Sequence, residues 1–367
     1  MRRIVWAGAA VALAAFLPGL TGRLSAADAP LAGVWKISML SPGREVPYLL
    51  VEIKDNNGTP AADVIAFINP QLKDFKVESI TADADKSFHA TLTGAGATFA
   101  VAGYSSKPSE KPEEWLGSMA INGRRSLIRV ERTDMKTLPP PGPISPAVQA
   151  LQKALTTPDP KAKIAALNDL LADKATDPAT ALNADLALLT ALTQTMADAE
   201  DVHKAADATV ALATPYGPEE RRDVLLKAAR TLSGYEKTAA LAVDYARSAE
   251  KLLDATASAS EQADVLKALK TALTKKGDAA EAKDVAARLA KIDDQLDAEF
   301  LRDAIPFTPT QFTGRTSKSD RVAVVELFTG AQCPPCVAAD VAFDAVGKSY
   351  KADDLVLLQY HLHIPGP

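Results

Sequence analysis

The sequence predicts a multidomain protein: an antiparallel β barrel or sandwich over residues 30–137, an all-α irregular helical-repeat region over 148–303, and an incomplete α/β unit over 321–367. Three observations carry this. Residues Gly33 to Lys136 alternate apolar and polar side chains in short runs, the signature of half-buried strands. From about 148 to Phe300 alanine, leucine, lysine and aspartate recur with helical period. Beyond residue 320 a compact apolar strand runs into Cys333-Pro334-Pro335-Cys336. A chain of 367 residues also exceeds what one hydrophobic core organises.

The first residues form none of these units. Arg2 and Arg3, an apolar run from Ile4 to about Leu17 and small residues at Ser25-Ala26-Ala27 have the layout of a secretory signal over 1–27, cleaved near Ala27. The apolar run is short for a bilayer span, which takes about 20 residues. The expected location is therefore secreted or periplasmic, with no stable membrane span after cleavage. Such compartments let a disulfide persist.

In the β region the runs VWKISML, YLLVEIKD, DVIAFIN, KVESITA, SFHATLT, ATFAVAGYS and RSLIRVER predict six to eight antiparallel strands. Asp55-Asn56-Asn57-Gly58, Thr93-Gly94-Ala95-Gly96 and Asn122-Gly123 supply the turns between them. The opening Gly33-Val34-Trp35 resembles the Gly-x-Trp start of lipocalin-like barrels, in which the tryptophan plugs the base; ordinary core is the alternative for Trp35. Trp115, after SEKPEE, is placed at a rim, and His89 on a strand at the surface.

Leu138-Pro139-Pro140-Pro141-Gly142-Pro143 opens a proline-rich linker over 138–147, where fixed backbone angles and missing donors stop regular structure. Around eight helices then fit between breaks at Thr157-Pro158-Asp159-Pro160, Asp177-Pro178, Pro215-Tyr216-Gly217-Pro218, Ser233-Gly234 and Lys276-Gly277-Asp278. The last pair resembles a tetratricopeptide-type hairpin without a clean 34-residue period. Such arrays bind peptides or act as spacers. His203 is expected to be exposed and without a task. A second linker covers 304–320.

The segment from 321 holds the only two cysteines of the chain. Val322 to Phe328 reads as a strand buried on both faces, and Val337, Val341 and Ala345 mark one face of a following helix. Pro334 and Pro335 suit its first turn. That puts Cys333 at the helix N-terminus, where free amides and the dipole favour a thiolate, and Cys336 one turn in, placed to resolve a mixed disulfide. Strand, loop and Cys-x-x-Cys at a helix start resemble a thioredoxin-like domain, the N-terminal part of one within a large exported protein. The resemblance implies Cys333 as nucleophile, Cys336 as resolving cysteine and Glu326 as the buried acid that relays a proton. It also implies protein thiols or disulfides and a redox partner protein as partners, and no cofactor. Gln332 replaces the tryptophan usual before the first cysteine. The hairpin, its cis-proline and the closing helix of that fold do not follow the strand at 354–363, so the unit is expected to be truncated. Copper or zinc held by Cys333, Cys336, His361 and His363 is the rival reading, and a non-enzymatic helical scaffold the third. Net charge of −5, with 41 basic against 46 acidic residues and no basic stripe, excludes a nucleic-acid binder.

Overall fold

The computed structural model describes residues 32–56, 59–69, 75–82, 87–94, 97–105, 113–121, 124–254, 257–303, 308–316, 321–330 and 334–362. The segment 1–27 expected to be a secretory signal, Cys333 and His363 lie outside the described residues. The chain divides into two compact units, 1–252 and 253–367. The division falls within the helical stretch, and the barrel and the first six helices belong to one unit.

Eight strands form the first sheet: β1 (Gly33–Ser41), β2 (Arg44–Asn56), β3 (Thr59–Phe67), β4 (Lys76–Ala82), β5 (Phe88–Gly94), β6 (Ala97–Tyr104), β7 (Glu114–Ile121) and β8 (Arg124–Thr133). Their order, β3-β2-β1-β8-β7-β6-β5-β4, is an antiparallel meander in which β8 returns to pair with β1. The sheet curls into a near-closed barrel whose one seam lies between β3 and β4. Phe67, Phe75 and Phe99 fill that seam, with ring centroids 4.4 Å (Phe67–Phe75) and 5.6 Å (Phe75–Phe99) apart. The register pairs Asn56 with Thr59, Gly94 with Ala97 and Ile121 with Arg124, so the expected two-residue turns sit where Gly-containing pairs interrupt the alternation.

Alternation sends Trp35 and Ile37 of β1, Leu49 and Val51 of β2, Leu92 of β5 and Ile128 and Val130 of β8 into the barrel. Trp115 joins them at 1% exposure, a core residue rather than a rim residue. Its ring lies 4.2 Å from that of Trp35 and 5.1 Å from that of Phe88. The polar SEKPEE run misdirects the reading because it ends where β7 begins. Arg132 of β8 stacks its guanidinium 4.5 Å over Trp35 and donates to the Ala32 carbonyl at 2.7 Å. A side chain on Gly33, whose φ is +138°, would run into that guanidinium.

Eight helices follow: α1 (Pro146–Thr156), α2 (Pro160–Ala172), α3 (Pro178–Gln194), α4 (Ala199–Ala213), α5 (Pro218–Leu232), α6 (Ala239–Glu250), α7 (Ala259–Lys276) and α8 (Ala279–Asp303). Five of their seven junctions fall on the expected breaks, and those between α3 and α4 and between α6 and α7 do not. Pro opens α1, α2 and α3, each behind a Ser or Asp whose side chain accepts from a first-turn amide. The α7–α8 pair turns at Gly277, left-handed at φ +86°, after a capping box of Ser258 and Glu261.

In the first unit the outer face of the barrel is also buried. Leu127 points away from the interior that its neighbour Ile128 fills, and packs with Ala179 and Leu182 of α3, Ala213 of α4 and Val224 of α5. Polar contacts pin the same junction. The Gly43 amide donates to Asp177 Oδ2 (3.1 Å) and Thr180 Oγ1 (2.9 Å), and Tyr104 donates to Glu219 at 2.7 Å. Arg125 pairs with Asp223 at 3.2 Å.

The second unit adds β9 (Ala323–Gly330), α9 (Pro334–Ser349) and β10 (Leu355–Leu362). β9 and β10 pair in parallel as a two-stranded sheet. The strand expected to be buried on both faces is not. Val324 is 58% and Phe328 61% exposed, because each strand has one neighbour among the described residues. Phe328 stacks on Tyr360 at 4.8 Å instead.

Candidate functional site

The predicted redox residues are described only in part, since Cys333 lies outside the described residues. Cys336 stands half-buried in the first turn of α9 and is disulfide-bonded, so it presents no thiolate. Glu326, expected as a buried acid, is exposed on β9 and accepts a hydrogen bond from the Tyr360 hydroxyl at 3.1 Å. His361 is exposed on β10, and no group of three or more His, Cys, Asp or Glu that could hold a metal occurs among the described residues.

Disulfide exchange and copper or zinc binding are therefore corrected as functional readings. So are protein thiols and a redox partner as partners. The resemblance to thioredoxin-like domains is corrected with them: the N-terminal region is a near-closed barrel, and beyond α8 the described residues show two paired strands and one helix rather than that fold.

The other histidines also stand apart. His89 is half-buried on β5, its Nε2 3.4 Å from the Tyr104 hydroxyl. His203 is exposed on α4, 3.5 Å from Asp207, which accepts from Tyr245 at 2.6 Å.

Among the described residues two apolar concavities stand out, both in the first unit. The barrel interior is lined by Trp35, Val51, Phe88, Leu92, Trp115 and Val130 among others and leaves a cavity of about 20 Å³. That is room for about one water, in a lining with no polar partner to hold it. The opening Gly-x-Trp therefore introduces a plugged barrel, not a ligand cup.

The second is a groove of about 890 Å³. Its walls are α2 (Ile164, Leu171), α3 (Ala181, Asp185, Leu188, Leu192) and α4 (Lys204, Ala205, Ala208, Leu212); Leu116 of β7 and Tyr216 also line it. On α3 the lining positions 178, 181, 185, 188 and 192 recur every three or four residues, which is one helix face. On α4 alanines hold the matching face, and their short side chains leave the space between the walls unfilled.

Asp185 distinguishes the groove. It is 3% exposed, and no hydrogen bond or ion pair to it exists among the described residues. Burial alone pushes its carboxyl up from 3.8 to about 6. Tyr216, 3% exposed, has its phenol pushed up to about 12, chiefly by burial, and stays a neutral donor. Sequence reasoning did not single out Asp185. The available signal was that α3, PATALNADLALLTALTQ, carries one charged residue in 17, set among leucines.

Comparison with protein families, curated proteins and solved structures returned no match to this chain.

Proposed function

We propose that the barrel and helices α1–α6 form a non-catalytic binding module, and that the groove between α2, α3 and α4 holds an extended peptide segment of a partner protein. The observation that carries this is the groove itself: an apolar channel of about 890 Å³ with, on its wall, the carboxylate of a residue 3% exposed that has no partner among the described residues. Ligand sites have this character, mostly apolar with a few polar groups, and structural cores do not leave such space open. The lining face of α3 from Pro178 to Leu192 is about 21 Å long at 1.5 Å per residue. An extended chain covers that in about six residues. The basic, apolar and small-residue layout of positions 1–27 supports an exported setting for the module. Among the described residues no helix is long and apolar enough to cross a membrane.

Ala208→Trp tests the groove. Ala208 is exposed on its α4 wall, so an indole there fills the channel without disturbing the core. Titration of the full chain with a pool of fluorescent, acetylated apolar hexapeptides should show saturable binding that the variant lowers at least tenfold. Absence of binding to the unaltered protein, with no change in the NMR signals of α3 and α4, would reject the reading.

A further inference from the structure

We infer that the peptide segment carries a lysine or arginine whose cationic head pairs with Asp185, its methylene stem lying along the apolar walls of the groove. This rests on the groove being a peptide site, and adds the chemistry that selects the peptide.

The argument is one of charge complementarity. An ionised carboxylate accepts hydrogen bonds and donates none, and a buried one is tolerated when it is paired. Asp185 has no pair among the described residues, and it faces open space rather than packed side chains. The groups that could compensate it do not. Lys204 and Asp201 line the groove from α4, both exposed, and no ion pair joins Lys204 to Asp185 among the described residues. From α2 come Ile164, Leu171 and the neutral Asn168, from β7 Leu116, and from the turn before α5 the neutral Tyr216. The charge that complements Asp185 is thus that of a cationic group on the ligand.

The surroundings narrow it further. Leu188, Leu192, Ala205 and Leu212 offer apolar surface to the long stem of Lys or Arg, which covers such surface while its head is held. Asp201 beside them disfavours an acidic segment. Occupancy also relieves the cost of the ionised form, because a nearby positive charge returns a raised carboxyl toward its ordinary value. Pairing is therefore strongest where Asp185 is ionised in the free protein, above about pH 6.

The experiment uses the full chain and three pools of acetylated hexapeptides with apolar residues at five positions. The fourth position is Lys, norleucine or Glu, norleucine being a near-isosteric neutral chain. At pH 7.5 the Lys pool should bind at least tenfold more tightly than the norleucine pool, and the Glu pool most weakly. At pH 5 the preference for the Lys pool should narrow, and in Asp185→Asn at either pH the Lys and norleucine pools should bind alike. Equal binding of Lys and norleucine by the unaltered protein at pH 7.5 would overturn the cation while leaving the groove as a peptide site. Failure of all three pools would overturn the peptide reading itself. Dodecylamine that binds in an Asp185-dependent way when the peptides do not would replace the peptide by a small amphiphile and overturn the inference as stated. Circular dichroism of Asp185→Asn checks that its fold is retained, and the norleucine affinity of that variant should be unchanged.

Discussion

The barrel interior and the helical groove are both apolar concavities of one compact unit, and they differ in every property that bears on use. The interior is closed by aromatic rings, Trp35 against Trp115 and Phe67 against Phe75, and keeps about 20 Å³. The groove keeps about 890 Å³ and carries a buried carboxylate with no partner among the described residues. Side chains in the first are selected for packing. Asp185 in the second, ionised at neutral pH against the penalty of its burial, works against stability. The comparison teaches that a barrel, a fold often associated with an internal ligand, can serve as a base on which a helical array presents the site.

The largest effect that would test the contrast is expected inside the barrel. Trp35→Ala removes a ring that packs against Trp115 and lies under Arg132, and should cost about 3–5 kcal/mol in urea unfolding. A loss below about 1 kcal/mol would show that the interior is looser than its geometry.

Asp185→Asn should act in the opposite direction. The folded-state value of Asp185, about 6, lies above its ordinary 3.8, so the native state holds the proton more tightly than the unfolded chain does. Its stabilising contribution is complete below about pH 4 and is lost as pH rises through about 6. The neutral amide escapes that loss. The variant should be more stable than the unaltered protein at pH 7.5, on the order of 2 kcal/mol after allowance for water in the groove, and equal to it near pH 4. A destabilised variant at pH 7.5 would give Asp185 a structural role and erase the contrast.

Asp177→Ala removes the N-cap of α3, where the side chain accepts from Thr180 and Gly43, and should cost about 1–2 kcal/mol by thermal unfolding. Smallest of all, Ala208→Trp should leave unfolding within about 0.5 kcal/mol, since it lies on an exposed wall. A larger loss would mean the groove is part of the core.

Much of the fold is legible from pattern. Period-two runs mark the strands, and the prolines at 146, 160, 178 and 218 mark helix starts because each occupies a position with no donor to lose. What pattern does not carry is neighbours. Val322 to Phe328 is apolar enough for a central strand, but apolarity records a demand for burial and does not supply the strands that meet it. Leu127 and Ile128 are both buried on opposite faces because helices cover the barrel, which no alternation rule indicates. For the site, Cys333-Pro-Pro-Cys336 drew attention by rarity. Asp185 is one of many aspartates in an alanine-rich stretch, and only the placement of α2 and α4 shows which face of α3 is left open.

The contact between the β1–β2 turn and α3 has a dynamic consequence. Gly43, at φ +81° and with Val148 so close that a Cβ would meet it at 2.8 Å, presents its amide to Asp177 and Thr180 and its carbonyl to the Ser145 amide at 2.6 Å. The first turn of the helix that carries Asp185 is thereby held by the barrel. Opening of the meander releases that turn, so the two parts share one cooperative unfolding step. A ligand seated between the helices then slows amide exchange in strands it never touches, by drawing the whole unit toward its closed population.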